Sequence, residues 1–290
     1  MKNILITGAR GFVGRNLKEA LSEQYRVFAP LHSELELLDY DALARYVEKN
    51  KIESVVHAAI HVPMFNGVEK EFFNDMQMFL NLEKLSAGLD KLLYFGSGAE
   101  FDKRFDITMV REEDWGRSIP VTEYGLAKYT MNRIARDSRN IYNLRLFGIF
   151  GKYELWQIKF LSNLCCKALF DLPLTVRKAC RFDFLCIDDL APVVSWFLEN
   201  EPQFHDYNVC MGIPYELTDL TKMVNAIANK DLPIWVLSDG RNPEYTACAD
   251  RLWNEIKRAP TPMNVALRHL YEWYELHQVE IDFNILQASQ

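Results

Sequence analysis

Tyr124 and Lys128 stand four residues apart in the stretch YGLAK, a spacing that puts both side chains on one face of a helix. An ammonium beside a phenol favours the phenolate and lowers its pKa, so the tyrosine can give or take a proton. Ser97, in the small-residue run GSGA, adds a hydroxyl able to hydrogen-bond a carbonyl or alcohol oxygen. These three side chains suit the interconversion of an alcohol and a ketone while a nicotinamide carries hydride. The Tyr/Lys spacing alone arises by chance in roughly every second or third chain of this size, and it describes a solvated helix pair equally well. The rest of the chain has to decide between the two.

The opening stretch, KNILITGARGFVGR, reads as strand, tight turn and helix: an apolar run at Ile4, Leu5 and Ile6, glycines at Gly8, Gly11 and Gly14, and helical spacing at 17–21. Gly8 allows a turn at positive φ, Gly11 lets the backbone approach a pyrophosphate, and Gly14 permits close helix–strand packing. A helix N-terminus aimed at phosphates favours their charge. A glycine-rich βα turn that binds nothing is the plainer alternative.

Strands and helices then alternate. Strands are expected at 26–31, 54–59, 92–95 and 143–147, and helices from about Tyr40, over 69–89 and over 123–136, with a polar irregular stretch at 102–122. Such alternation specifies an α/β fold with a Rossmann-type, doubly wound parallel sheet. Ala58 and Ala59, ending the third strand, leave room for a ligand at the sheet edge or for a closely packed helix. His57 reads as a hydrogen-bonded structural histidine, and His61 could face a substrate. The helix over 69–89 is apolar on more than one face, which implies a subunit contact as well as a core contact. Beyond Gly151 the rhythm changes to helical material at 156–170, a run at 233–237 and a last helix near 264–277. A dinucleotide-binding unit over 1–152, with a returning segment near 179–212, and a smaller interleaved substrate lobe over 153–290 are expected.

The 290 residues are 49% hydrophobic and 25% charged, ordinary globular values that exclude a disordered or fibrous chain. A net charge of −7 with no dense Lys/Arg run argues against nucleic-acid or anionic-membrane binding, while leaving room for a basic pocket around a phosphorylated ligand. No apolar run reaches membrane-spanning length and no cleavable leader is evident, so a cytoplasmic protein is expected. The six cysteines lack CxxC spacing, which implies buried or free thiols and no metal site.

TGARGFVG, HAA, Ser97 and YGLAK occur in the order and spacing of the extended short-chain dehydrogenase/reductase family, which the chain resembles over nearly its full length. HSELELLDYDAL is similar to the matching segment of its GDP-fucose synthase and dTDP-4-dehydrorhamnose reductase members; RFDFLCIDDLA, RNPEYTACAD and ALRHLYEWY resemble the same group. The resemblance implies Tyr124 as acid/base, Lys128 as the group that lowers its pKa and holds the nicotinamide ribose, and Ser97 as the group positioning the reacting oxygen. It assigns the cofactor to Gly8, Ala9, Arg10, Gly11, Phe12, Val13 and Gly14 at the pyrophosphate, His32, Leu38 and Asp39 around the adenosine, Ala58, Ala59 and Ile60 at the inner ribose, and Phe147 at the nicotinamide. Arg181 and Arg241 are the candidates for a substrate diphosphate, with an ion pair to Asp183 or Asp188 the plainer reading of Arg181.

Two departures narrow the reaction. Dehydratases and the 3,5-epimerising synthase of this family carry acid/base groups one or two residues after the catalytic Ser/Thr, where this chain has Gly98 and Ala99; Glu100 follows, turned elsewhere by alternation. Trp156 stands near where the synthase has a catalytic histidine. Pro30-Leu31-His32 replaces the acidic residue that binds an NAD ribose, and Arg10 can meet a 2′-phosphate, so NADP is favoured over NAD. The expected activity is NADPH-dependent reduction of a 4-keto-deoxy sugar nucleotide. A 4-epimerase retaining tightly bound NAD and a non-catalytic NADP-sensing regulator are the alternatives. A homodimer through the helices at 69–89 and 123–136 is the expected assembly.

Overall fold

Strands covered by helices on both faces must be apolar on both faces. Asn3–Thr7 (β1), Ser54–His57 (β3), Lys91–Ser97 (β4) and Ile141–Leu146 (β6) are buried almost throughout around apolar centres, with polar residues mostly towards their ends and Asn143 and Arg145 within β6, and Arg26–Phe28 (β2) is the short, half-exposed edge. The computed structural model describes residues 1–60 and 71–289. His61 and the expected helix start at Glu69 lie outside the described residues.

Between these strands run the helices Phe12–Leu21 (α1), Tyr40–Asn50 (α2), Glu71–Ser86 (α3) and Glu123–Arg136 (α4), with a short strand at Ile107–Val110 (β5). Gly148–Phe150 (β7), Phe160–Leu169 (α5), Leu174–Ala179 (β8), Arg181–Phe182 (β9) and Phe184–Cys186 (β10) follow, then Leu190–Glu199 (α6) and Asp206–Val209 (β11). The chain ends through Tyr215–Glu216 (β12), Leu217–Ala228 (α7), Ile234–Arg241 (β13), Tyr245–Ala247 (β14), Asp250–Ile256 (α8), Met263–Leu276 (α9) and Phe283–Ala288 (α10).

Six strands form one parallel sheet in the order β11-β6-β4-β3-β1-β2. The order reverses at β1, whose neighbours β2 and β3 leave in opposite directions, and the crevice beyond the carboxyl ends of β1 and β3 is where such sheets take ligands. Leu17, Leu190, Val194 and Phe197 of α1 and α6 cover one face, and Leu43, Phe79, Leu82 and Met131 of α2, α3 and α4 cover the other. The sixth strand, β11, comes from beyond residue 200.

A separate apolar cluster, including Phe150, Leu164, Leu174, Leu220, Leu267 and Leu270, gathers β8, α5, α7 and α9. A small mixed sheet, β12-β9-β14-β5, joins it to the site. Four elements differ from the sequence expectation. β2 stops at Phe28, two residues before Pro30, which has no N–H to extend the ladder. The helix expected from Trp156 begins at Phe160, after a turn in which Leu155 O accepts from the N–H groups of Ile158 and Lys159. β5 lies within the stretch read as irregular, with only Ile107 of its four residues buried and its partner β14 far along the chain. The run at 233–237 proves to be β13, paired in parallel with β8. All six cysteines are buried free thiols. Among the described residues no helix is long and apolar enough to cross a membrane, and no cluster of His, Cys, Asp or Glu could hold a metal.

Candidate active site

At the end of β1, Gly8 sits at φ +68°, and a Cβ there would meet Ala59 N at 2.6 Å and the Ala58 carbonyl at 2.7 Å. A Cβ on Gly14 would stand 2.3 Å from Gly8 O, so α1 packs on the turn at a distance only glycine allows. Gly11 caps α1 with no side-chain hydrogen bond and no acid in the first turn, leaving the helix's N–H groups for an anion. These features frame a cavity of about 460 Å³ whose wall includes Gly8, Ala9, Arg10, Gly11, His32, Leu38, Ala58, Ala59 and Ile60. Its shape and its anion-seeking end fit a dinucleotide, which those residues would hold. Arg10 is exposed at this wall and makes no ion pair among the described residues. His32 is solvent-facing, with Nε2 3.3 Å from Glu36 Oε2.

Three expected cofactor residues stand behind this wall. Phe12 and Val13 pack against the core from the first turn of α1, and Gly14 seats that helix on Gly8. Asp39 is not on the wall either: its Oδ1 accepts from Ala42 N at 3.0 Å and caps α2, which is what a lone Asp before a helix does.

Ser97 ends β4 and starts a 3₁₀ turn over Gly98–Phe101. Its Oγ accepts from Ala99 N at 3.2 Å, while Glu100 Oε1 accepts from the Ser97 N–H at 3.1 Å. Glu100 thus turns inward, where Arg145 Nε at 2.9 Å and Asn143 Nδ2 at 3.1 Å also donate to it. Burial pushes this carboxyl up, and the N–H donors pull against that by holding its ionised form. Tyr124 lies in the first turn of α4, whose start Thr122 Oγ1 fixes by accepting from Gly125 N at 3.1 Å. One turn on, Lys128 is buried, its Nζ 5.8 Å from the Tyr124 ring centroid.

His57 is buried with Nδ1 2.8 Å from Thr7 Oγ1, and burial, then the Lys128 charge, lower its pKa to about 3. It is a neutral structural histidine. Lys128 therefore acts on a residue bonded to Thr7, on the first cavity's wall, and stands beside Tyr124, on the wall of a second.

That second cavity, of about 910 Å³, is lined by Ser97, Tyr124 and Phe147 together with Lys103, Lys159, Arg177 and Lys178. Burial, then the charge of Lys159, pushes the Lys103 ammonium down, the mark of cations crowded in a partly dry space. Such a wall suits a multiply charged anion. Arg181 and Arg241 are not on it. Arg181 pairs with Glu244 at 3.4 Å instead of Asp183 or Asp188, and Arg241 pairs with Glu216 at 2.8 Å. The four cavity cations went unnoticed in the sequence because they come from three separated segments; the adjacent basic pair Arg177-Lys178 in β8 was the available signal. Two more residues were missed. Glu154, lifted by burial to about 7 against a hydrogen bond from Ser162, lines the same cavity, and so does Tyr245.

A profile of the NAD dependent epimerase/dehydratase family matches residues 4–210. The chain is 27% identical over 253 residues to the GDP-L-colitose synthase of Yersinia pseudotuberculosis, spanning 77% of this chain and 81% of that one. It is 24% identical over 246 residues to the GDP-6-deoxy-D-talose 4-dehydrogenase of Aggregatibacter actinomycetemcomitans, spanning 80% and 82%. A GDP-L-fucose synthetase structure from Naegleria fowleri superposes with a TM-score of 0.81 at 19% identity, over 96% of this chain and 94% of that one.

Proposed function

Because the chain belongs to the NAD dependent epimerase/dehydratase family, we propose that it is an NADPH-dependent reductase of a 4-keto-deoxy sugar nucleotide, with GDP as the nucleotide. One observation carries this reading: the hydroxyls of Ser97 and Tyr124 share a single cavity with Lys103, Lys159, Arg177 and Lys178. The hydroxyls serve a carbonyl and the cations serve a diphosphate. The two curated relatives, both named for GDP-linked sugars, support the choice of nucleotide.

In the reaction, Ser97 donates a hydrogen bond to the C4 carbonyl oxygen and Tyr124 delivers its proton to that oxygen as charge develops there. Lys128, one turn away, eases the proton's departure by favouring the phenolate. A nicotinamide, when bound, supplies the hydride. Gly98 and Ala99 carry no proton-transfer group and Glu100 is spent on Arg145, so the acid/base positions after the serine are empty here, which supports exchange at one carbon without epimerisation at its neighbours. Pro30, Leu31 and Arg10 at the first cavity favour NADP over NAD. α3 and α4 pack together, and α3 leaves Phe73 69% and Leu80 39% exposed, which fits a homodimer through these helices.

NADPH oxidation screened against keto sugar nucleotides tests the reading. Turnover of a GDP-linked 4-keto-6-deoxyhexose supports it; a protein that purifies with bound NAD and interconverts C4 epimers points to the epimerase instead, and one that binds NADPH without turning over any substrate points to a sensor.

A further inference from the structure

Tyr245, on β14, is enclosed by Phe147 and Phe182, with ring centroids 5.1 and 4.8 Å away, and Lys103 Nζ lies 4.6 Å over its ring. Its backbone is fixed from both sides, Tyr245 being paired with Ile107 of β5 and Phe182 of β9. The phenol it presents stops 3.5 Å from Ser97 Oγ, which is its hydroxyl's one hydrogen-bond partner among the described residues. Gly98 leaves the room for it, since a Cβ there would fall 2.5 Å from Tyr245 Oη. A side chain at position 98 and this phenol exclude each other.

We propose that Tyr245 is a positioning residue for the reduction, donating from its hydroxyl to Ser97 Oγ so that the serine's own proton is turned toward the substrate oxygen. The inference rests on the reductase reading and adds to it a third hydroxyl. Ser97 Oγ has two lone pairs and one proton. Ala99 N–H occupies one lone pair. With Tyr245 donating into the other, the serine proton has no partner except an oxygen in the cavity. With the opposite polarity the serine would give its proton to Tyr245 and have none for the substrate. Burial pushes the Tyr245 phenol well up, against the hydrogen bond with Ser97, which pulls it down, and the neighbouring Tyr124 adds to the rise, so its proton stays in place as Tyr124 loses its own. At 3.5 Å the contact is long, as catalytic hydrogen bonds are before substrate draws them together.

The test is a cycle of four proteins: wild type, Tyr245→Phe, Ser97→Ala and the double variant, read both by turnover with NADPH and by urea unfolding without ligand. Tyr245→Phe keeps the ring and is expected to lower kcat roughly tenfold while KM and NADPH affinity stay within about twofold; in the Ser97→Ala background it should cost nothing further. The unfolding midpoints should likewise be non-additive. Equal kcat losses in both backgrounds, an unchanged kcat in the single variant, or additive midpoints would overturn the role. A wild-type protein that reduces no keto sugar nucleotide overturns the reductase reading and this inference with it, whereas an active wild type with an indifferent Tyr245→Phe overturns only the latter.

Discussion

Glu100 meets Arg145 with Oε2 2.9 Å from Nε, and both side chains are sealed from solvent. The arrangement explains how an acidic residue three places after Ser97 can be chemically silent. Arg145 also donates to Asp206 at 2.8 Å and Asn208 at 2.9 Å, so removing Glu100 leaves a buried cation with fewer acceptors. Glu100→Ala is expected to cost about 3–5 kcal/mol in denaturant unfolding. The folded fraction should still form the same product, because the carboxylate does not line the cavity.

The close seat of α1 on the first turn sets a second expectation. Gly14→Ala places a methyl 2.3 Å from Gly8 O, backbone that cannot swing aside. Thermal unfolding should report a loss of about 1–3 kcal/mol, and fluorescence titration a weaker hold on NADPH, since the turn that faces the pyrophosphate must move.

Arg10 gives a sharper cofactor test. If its guanidinium meets the 2′-phosphate, Arg10→Ala should weaken NADPH about tenfold, roughly 1.4 kcal/mol, and leave NADH affinity unchanged. An equal loss for both cofactors would remove the arginine from that role.

Glu154 makes stability fall with pH. Its pKa rises from 4.5 to about 7 on folding, so between those values the folded protein binds more protons than the unfolded chain and loses stability as pH rises. The loss is complete above about pH 7 and amounts to at most about 3 kcal/mol. Glu154→Gln keeps an acceptor for Ser162 and should unfold at higher urea than wild type at pH 8, with the gap closing near pH 5.

The sheet was legible because its strands obey a two-faced apolar pattern and its first turn is written in glycines. The placement of Ser97, Tyr124 and Lys128 was legible for a related reason: each position is set by local spacing within one strand end or one helix turn. What stayed hidden depends on long-range pairing. Tyr245 reaches Ser97 because β14 is held between β9 and β5, the latter a strand with one buried residue, and the cations of the second cavity converge from segments with no common period. The acids that hold Arg181 and Arg241 were hidden likewise: the sequence offered Asp183 or Asp188 for Arg181, but Glu244 reaches it through the mixed sheet, and Glu216 reaches Arg241 on β13.

The most direct measurement is the rate of NADPH oxidation with a GDP-linked 4-keto-6-deoxyhexose by wild type and by Tyr124→Phe, with NADPH affinity measured alongside. Wild type should oxidise one NADPH per sugar reduced, and the variant should turn over about 10²–10⁴-fold more slowly while binding NADPH as tightly. A Tyr124→Phe protein that keeps the wild-type rate would contradict the account.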